Sequence, residues 1–165
     1  MGVGGQGSRG GRGGAGETAW GGGRGWADYG YWMMFRETGE RRYVDFASKL
    51  ADYAIGHPNM PTDGIPYWDF GAPGEERDSS AGAVMASALV ALARLLGGRK
   101  GAAYRVFAAK QLLALSSPAY FSEGDENGHW LLKHGVGHKP TNSEVDVPLD
   151  YGDYYFLEAL LRYRE

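Results

Sequence analysis

Apolar residues recur every three or four positions in five separate segments of this chain, and this spacing predicts amphipathic helices. The first segment, Trp26 to Glu37, is rich in aromatic residues and methionine and stops at Thr38-Gly39, a typical glycine C-cap. The last runs from about Asp150 to Tyr163, and we expect Tyr154, Leu157, Leu160 and Leu161 to form its buried side. The three stripes between them comprise Tyr43, Phe46, Ala47, Leu50, Tyr53 and Ala54; then Val84, Met85, Ala88, Leu89, Leu92 and Leu96; then Tyr104, Phe107, Ala108, Gln111, Leu112 and Leu115.

Turn-forming residues separate these segments and leave two long loops. Asp78 or Ser79 is suited to cap the third helix, and Gly97-Gly98 closes it. The loops are Pro58 to Arg77 and Pro118 to Pro148, and within them only Val145 to Leu149 has a pattern that suggests briefly extended chain. The predicted class is therefore all-α, with sequential helical hairpins that gather their long loops at one end. Loops of this length inside a compact domain are usually functional.

Residues 1–19 differ in composition from the rest of the chain. The opening MGVGGQGSRGGRGGAG is mostly glycine, which has little side chain to bury and much backbone entropy to lose. We expect this segment to be disordered and residues 20–165 to form the folded domain.

Composition excludes several classes of function. The chain has no cysteine, so it has no disulfide, no thiol nucleophile and no thiolate metal site. Its net charge is −3, and Arg9, Arg12 and Arg24 lie among glycines without interleaved aromatics, so we expect no nucleic-acid partner. The longest apolar run, around Ala83 to Leu96, is too short and too rich in alanine to predict a membrane span. No signal-peptide pattern is visible, and the compartment stays open between cytoplasm and periplasm.

The first long loop carries DGIPYWDFGAP, which places three large rings around one acid between two prolines. Flat rings beside carboxylates suit a sugar, whose ring carbons stack on aromatic faces while its hydroxyls hydrogen-bond to polar groups. Tyr67, Trp68 and Asp69 are therefore candidate binding residues. The alternative is that Trp68 and Phe70 plug the end of a helical core.

The second long loop carries His129, His134 and His138 with Lys133 and Lys139. The glycines between the histidines argue against helical metal-ligand spacing, and no third ligand is evident, so we expect no metal. A basic loop of this kind suits an anionic group such as a carboxylate or sulfate. The alternative is a solvated loop that only crosses the helix ends.

Four phrases in a fixed order, GIPYWDF, RDSSAGAVMASALVAL, ENGHWLLKH and SEVDVPLDYGDYYFLEALLR, resemble the C-terminal half of glycoside hydrolase family 88, the unsaturated glucuronyl hydrolases. The resemblance extends from about Glu17 to Arg164. It implies a partial (α/α)6 toroid of about three helical hairpins, in a hydrolase of polysaccharide degradation. The implied ligand is an unsaturated uronic-acid oligosaccharide released by polysaccharide lyases, and the family needs no cofactor.

The resemblance also implies a mechanism in which an Asp protonates the C4=C5 double bond and helps water add at C5. Opening of the resulting hemiketal breaks the glycosidic bond, so one acid/base replaces the usual pair of carboxylates. That Asp belongs to the family's N-terminal half. We therefore assign no catalytic residue in this chain, and Asp69, Asp78 and Asp146 are not carried over as catalysts. We expect the chain to be inactive alone.

Binding residues carry over from the family pattern W-A-R-G-Q-A-W, which here is WGGGRGW. Trp20 and Trp26 match its two tryptophans. Gly22 occupies the arginine position, and Arg24 is the nearest arginine. The region around His134 to Ser143 matches the part of relatives that contacts sulfate or the leaving sugar, so the resemblance implies that His134, His138 and Lys139 are candidate binding residues.

Two alternatives remain: an inactive carbohydrate-binding or structural remnant, and a relative of the unsaturated rhamnogalacturonyl hydrolases. A partial toroid would also leave apolar helix faces exposed, so we expect possible self-association through them.

Overall fold

The computed structural model describes residues 21–165, which contain five α-helices and one small β-hairpin. The predicted disordered segment 1–19 and the candidate Trp20 lie outside the described residues. The helices are α1 (Gly21–Thr38), α2 (Arg41–Ile55), α3 (Ser79–Leu96), α4 (Gly98–Leu115) and α5 (Asp150–Arg164). The hairpin consists of β1 (Gly135–His138), a 3-10 turn (Lys139–Thr141) and β2 (Ser143–Val147).

Helix α3 is the centre of the fold. It packs against α1, α4 and α5, while α2 packs mainly on α1. Helices α1, α3 and α5 thus form one layer, and α2 and α4 pack against one side of that layer. Every residue of α3 from Ser79 to Ala93 is buried. Its length and composition would also suit a membrane span, but most of the helix is enclosed by the other helices, which is typical of a core helix.

Small residues allow the neighbouring helices to approach α3 closely. A Cβ at Gly101 of α4 would come 2.4 Å from the Ala93 carbonyl oxygen, a distance that excludes any larger residue. Gly152 of α5 lies against Ser80, where a Cβ would come 3.3 Å from the Ser80 Cβ. These contacts fix where α4 and α5 cross the core helix.

The predicted helices were confirmed in number and order, with differences at their edges. The stripe predicted for α4 is buried in full, and Asp78 caps α3 by accepting a hydrogen bond from the Ala81 amide at 3.2 Å. In α2 the predicted face was partly wrong, because Phe46 and Tyr53 are exposed while Val44 and Ala51 are buried. Small residues line the buried side of α2, and the rings lie at its margin.

The predicted buried face of α5 was wrong. Tyr154, Leu157, Leu160 and Leu161 are exposed, by 37% to 59%, and the buried residues are Gly152, Phe156 and Ala159. Helix α5 carries two apolar faces, and the face with the smallest residues is the one that can approach α3. Periodicity detects that both faces exist, but it does not decide which one the core covers.

The hairpin was not predicted, apart from a brief extended segment at Val145 to Leu149. Its strands pair antiparallel through Gly135↔Val147, Val136↔Val145 and His138↔Ser143, with an irregularity between Gly135 and Val136. Three non-glycine residues, Asn142, Glu144 and Asp146, have positive φ. This conformation is uncommon for side-chain-bearing residues, and it removes the regular alternation from which strands are predicted.

One carboxyl group is buried between the helices without a hydrogen-bond partner among the described residues. Asp28 of α1 is fully buried, and neither carboxylate oxygen has a hydrogen-bond partner within residues 21–165. Burial raises its pKa from 3.8 to about 8; Arg24 on the same helix opposes this shift and Asp52 of α2 adds to it. The folded chain therefore retains this proton to a higher pH than the unfolded chain does.

We predict that Asp28→Asn removes a pH dependence of stability. The contribution of protonated Asp28 to the free energy of unfolding is fully present below the ordinary pKa of 3.8. It is lost progressively as the pH rises through the folded-state pKa of about 8. Between about pH 4 and pH 9 the free energy of unfolding of the wild type should fall by at least about 2 kcal/mol relative to that of the variant, since each pKa unit is worth roughly 1.4 kcal/mol. Urea unfolding at a series of pH values measures this difference. The matched control is Asp45→Asn, at an exposed position of α2; equal behaviour of the two variants would contradict the prediction.

Candidate functional site

The two long loops meet at the N-terminal ends of α1, α3 and α5, as the sequence predicted. The Gly21 amide of α1 donates to the Trp68 carbonyl at 2.8 Å, and the Ser79 amide of α3 donates to the His134 carbonyl at 3.0 Å. At the start of α5, the carboxylate of Asp153 accepts from the amides of Leu131 and Leu132 at 2.8 and 2.9 Å. Three helix starts and both loops therefore form one end of the molecule.

The aromatic loop turns two of its three rings inward. Phe70 is fully buried and its ring lies 4.6 Å from that of His57, between centroids, while Trp68 is 5% exposed. Tyr67 is only half-buried and has the Arg77 guanidinium 5.3 Å from its ring centroid. Within this loop the packing of Trp68 and Phe70 is therefore that of a core plug, and Tyr67 is the ring that reaches the surface.

Asp69, the acid between these rings, is also buried. One carboxylate oxygen accepts from the Gly71 amide at 2.7 Å, and the other has no partner among the described residues. The indole nitrogen of Trp68 is likewise buried without a partner in this part of the chain. The binding roles assigned to Trp68 and Asp69 stay predictions, because neither side chain reaches the surface in this structure.

Asp78 joins the core helix to the hairpin. Its side chain is 1% exposed, and Oδ1 accepts from Ser80 Oγ at 2.6 Å, from the Ala81 amide and from the Val136 amide at 3.3 Å. Burial raises the pKa of Asp78, although these three hydrogen bonds lower it. One carboxylate thus caps α3 and positions β1. The caps expected from sequence did not include this contact, because Val136 lies 58 residues away.

The hairpin places the predicted histidines and lysine beside the aromatic loop, and all three form polar contacts. His134 pairs with Asp146, and His138 Nδ1 lies 2.6 Å from Thr141 Oγ1. Lys139 forms ion pairs with both Glu75 and Glu76, and its ammonium lies 5.9 Å from the Trp68 ring centroid.

These ion pairs also shift the protonation of the groups involved. The hydrogen bond from Lys139 lowers the pKa of Glu76. Burial lowers the pKa of Lys139, but hydrogen bonds to both glutamates outweigh it and leave that pKa raised. Lys139 is therefore a firmly held cation.

An open pocket lies between the aromatic loop and the hairpin. It is lined by Glu75, Glu76, Arg77, Ala119, Tyr120, His134 and Asp146. Burial raises the pKa of Tyr120 to about 12, so this hydroxyl is neutral, and it donates a hydrogen bond to Asp63 Oδ2 at 3.2 Å. Apart from His134, the sequence did not identify these residues as one site, because they come from three distant segments.

Trp26 is the exposed member of a second group of rings at the same end. Trp26 is 37% exposed, and its ring lies 5.5 Å from Tyr151 and 5.1 Å from Tyr155, between centroids. Both tyrosines come from α5, where the aromatic density of DYGDYYF was a signal that could have identified them. Arg24 is not in this group. It stacks 4.7 Å from the ring centroid of Tyr53 in α2, so the structure separates it from Trp26.

Within residues 21–165 the structure contains no cluster of three histidine, aspartate or glutamate side chains arranged to hold a metal ion. The site thus consists of rings, paired ions and neutral hydroxyls, which is a suitable surface for a polar sugar.

Known proteins are similar to this chain in sequence and in fold. No family model matches the chain. An unsaturated glucuronyl hydrolase of Formosa agariphila is 41% identical over 148 residues, which are 88% of this chain and 36% of that protein. A crystal structure of an unsaturated glucuronyl hydrolase specific for heparin superposes with a TM-score of 0.88 at 42% identity, over 93% of this chain and 42% of that one. The chain is thus similar in sequence and in fold to part of the unsaturated glucuronyl hydrolases.

The five helices accordingly form part of an α/α toroid, as the resemblance implied. The chain spans about two fifths of the length of the relatives that it matches. A further neighbour, the unsaturated glucuronyl hydrolase of Streptococcus agalactiae, has a structure in complex with dGlcA-GalNAc6S; it is 26% identical with a TM-score of 0.84 and is matched over 41% of its length.

We predict that Asp78→Ala releases the hairpin from the core helix. Loss of a buried cap and of its hydrogen bonds should cost about 1 to 3 kcal/mol of folding free energy. Hydrogen exchange at the Val136 amide should become faster. Exchange measured by NMR is the readout, and the matched control is Asp153→Ala, which removes the other carboxylate anchor and should accelerate Leu131 and Leu132 instead. Unchanged protection of Val136 in the Asp78 variant would contradict the role given to this residue.

Proposed function

We propose that this chain is part of a glycosidase that removes unsaturated glucuronyl residues from the non-reducing end of lyase-generated oligosaccharides. The observation that carries the proposal is the combination of 41% identity to an unsaturated glucuronyl hydrolase with a TM-score of 0.88 to another. The grouping of both loops and three helix starts at one end supports it, because these elements surround an open, ring-lined surface.

The proposed reaction is hydration of an enol ether. A proton is added at C4, a water oxygen bonds to C5, and the resulting hemiketal opens with loss of the glycosidic bond and release of the next sugar. An acid/base is needed at C4 and C5, and none of the three carboxylates considered from sequence is suited to that role. Asp69 and Asp78 are buried, and Asp146 is paired with His134. We therefore assign to residues 21–165 the binding and positioning of the sugar, and we place the proton donor in the part of the relatives that this chain does not match.

The direct test follows the ultraviolet absorbance of the C4=C5 double bond. The chain is incubated with an unsaturated glucuronyl disaccharide, alone and as a chimera in which the amino-terminal part of the Formosa agariphila relative precedes residue 21. We expect absorbance to be lost only with the chimera. Binding by the chain without any turnover by the chimera would instead indicate the inactive remnant.

We predict that Trp26→Ala weakens binding of the disaccharide about tenfold, equivalent to ~1.4 kcal/mol, because the exposed indole supplies an apolar face for the sugar ring. Calorimetric titration of the chain measures the dissociation constant. Trp130→Ala is the matched control, since Trp130 is 41% exposed, close to the 37% of Trp26, but lies outside the Trp26, Tyr151 and Tyr155 group. An equal loss in both variants would argue against a sugar contact at Trp26.

We further propose that copies of the chain associate through the exposed face of α5. Tyr154, Leu157 and Leu161 lie three or four residues apart on this face and are 59%, 48% and 54% exposed. Apolar faces of this kind drive association in water.

The expected outcome is a concentration-dependent oligomer in sedimentation velocity, which the double variant Leu157→Glu/Leu161→Glu converts to monomer. Val106→Glu, at a 71% exposed position of α4, should leave the oligomer intact. A monomeric wild-type chain at high concentration would refute this association.

A further inference from the structure

The Trp26 indole is supported by two rings of α5. Its centroid lies 5.5 Å from that of Tyr151, at an interplanar angle of 58°, and 5.1 Å from that of Tyr155, at 87°. The second arrangement is edge-to-face, a geometry that aromatic pairs favour. The indole is nevertheless 37% exposed, so part of its surface stays open to a ligand.

Close helix packing brings these rings together. Gly25 of α1 packs against the first turn of α3, where a Cβ would come 3.2 Å from the Ala81 carbonyl oxygen. Gly152 of α5 packs against the same turn, at Ser80. Each glycine is next to one of these rings in the sequence. Because α1 and α5 meet α3 at a single turn, Trp26 lies beside the rings of α5.

Tyr155 also packs on a further ring, which a polar network holds in place. Its centroid lies 4.8 Å from that of Tyr29, and the Tyr29 hydroxyl donates to Glu158 Oε1 at 3.1 Å. The Glu158 carboxylate also accepts from Ser87 Oγ at 2.6 Å and from Arg162 at 2.8 Å. This network joins α1, α3 and α5, so it fixes the ring against which Tyr155 packs.

A fixed indole is a better surface for a sugar than a mobile one. A side chain that is mobile in the free protein loses conformational freedom when a sugar stacks on it, and this loss weakens binding. The contacts with Tyr151 and Tyr155 remove much of that freedom before the sugar binds. Of the two, Tyr155 is the ring that is anchored to the network of three helices. The contact with the indole is made by its ring and does not need its hydroxyl.

We propose that Tyr155 is a positioning residue that holds the Trp26 indole in a fixed orientation for stacking against the sugar. Tyr155 acts through Trp26 and does not need to touch the ligand itself. The inference rests on the proposed function, because it concerns a sugar contact of the same site. It adds a residue of α5 to candidates that the sequence placed only at the start of α1 and in the two long loops.

The first experiment titrates an unsaturated glucuronyl disaccharide into the full chain by calorimetry. We expect Tyr155→Leu to weaken binding roughly fivefold, as the loss of one edge-to-face contact would produce. Tyr155→Phe keeps the ring and should bind like the wild type. In a Trp26→Ala background, Tyr155→Leu should cause no further loss, because it acts only through the indole. Circular dichroism checks that each variant is folded.

The second experiment observes the indole without any sugar. The chain is labelled with 5-fluorotryptophan, and Trp26→Phe identifies the fluorine NMR resonance of Trp26 among those of the five tryptophans. Neighbouring rings displace the resonance of an indole that keeps one orientation. We therefore expect Tyr155→Leu to move the Trp26 resonance toward that of free 5-fluorotryptophan, and Tyr155→Phe to leave it in place.

The matched control is Tyr31→Leu, the same substitution in a different group of rings. Tyr31 belongs to α1 and is half-buried like Tyr155, and its ring stacks on that of Phe46 at 5.5 Å between centroids. This variant should change neither the affinity nor the Trp26 resonance. An equal effect of Tyr31→Leu would show a general loosening of the helices and would overturn the inference.

The possible failures are distinguishable. If the disaccharide binds but Tyr155→Leu fails to weaken binding or to move the Trp26 resonance, the inference is overturned while the proposed function stands. The same holds if Tyr155→Phe loses as much affinity as Tyr155→Leu, or if the loss persists in the Trp26→Ala background. If the wild type does not bind the disaccharide, the proposed function fails for this chain, and the role given to Tyr155 fails with it.

Discussion

The close packing of helices around α3 is the constraint on which the rest of this structure depends. A helix buried on all sides must meet its neighbours through small residues, and Ser80, Ala93, Gly101 and Gly152 supply those contacts. The resulting positions of α4 and α5 bring the start of α5 to the start of α3. Because both long loops are attached at these starts, the geometry of the core also sets the geometry of the site.

Asp78 transmits that geometry to the hairpin. Its carboxylate satisfies the first turn of α3 and the Val136 amide at once, in a place where water does not compete. A hairpin with three non-glycine residues at positive φ has little intrinsic preference for its shape. The contact with the core helix thus supplies order that the local sequence does not, and it brings His134 and Lys139 to the aromatic loop.

The electrostatic character of the site also differs from what the loops suggest when each is taken alone. The stretch from His129 to Lys139 in the second loop contains three histidines, two lysines and no acid, so it is basic along the sequence. In the folded chain the first loop brings Glu75 and Glu76 to Lys139, and β2 brings Asp146 to His134. The pocket is consequently acidic. Its net charge depends on which side chains meet there, and those side chains come from distant segments of the chain.

The sequence by itself determined the number and order of the helices, a cap of α3 at Asp78 or Ser79, the buried stripe of α4 and the gathering of the long loops at one end. These properties depend on local spacing, on turn residues and on short-range hydrogen bonds, all of which a single segment contains. The resemblance of four phrases to unsaturated glucuronyl hydrolases also came from sequence alone. Only the tertiary structure decided which face of α5 is buried, that Phe70 lies in the core, that Arg24 lies apart from Trp26, and that Lys139 is neutralised. Each of these depends on which distant residue occupies the neighbouring space, and helical periodicity contains no information about that.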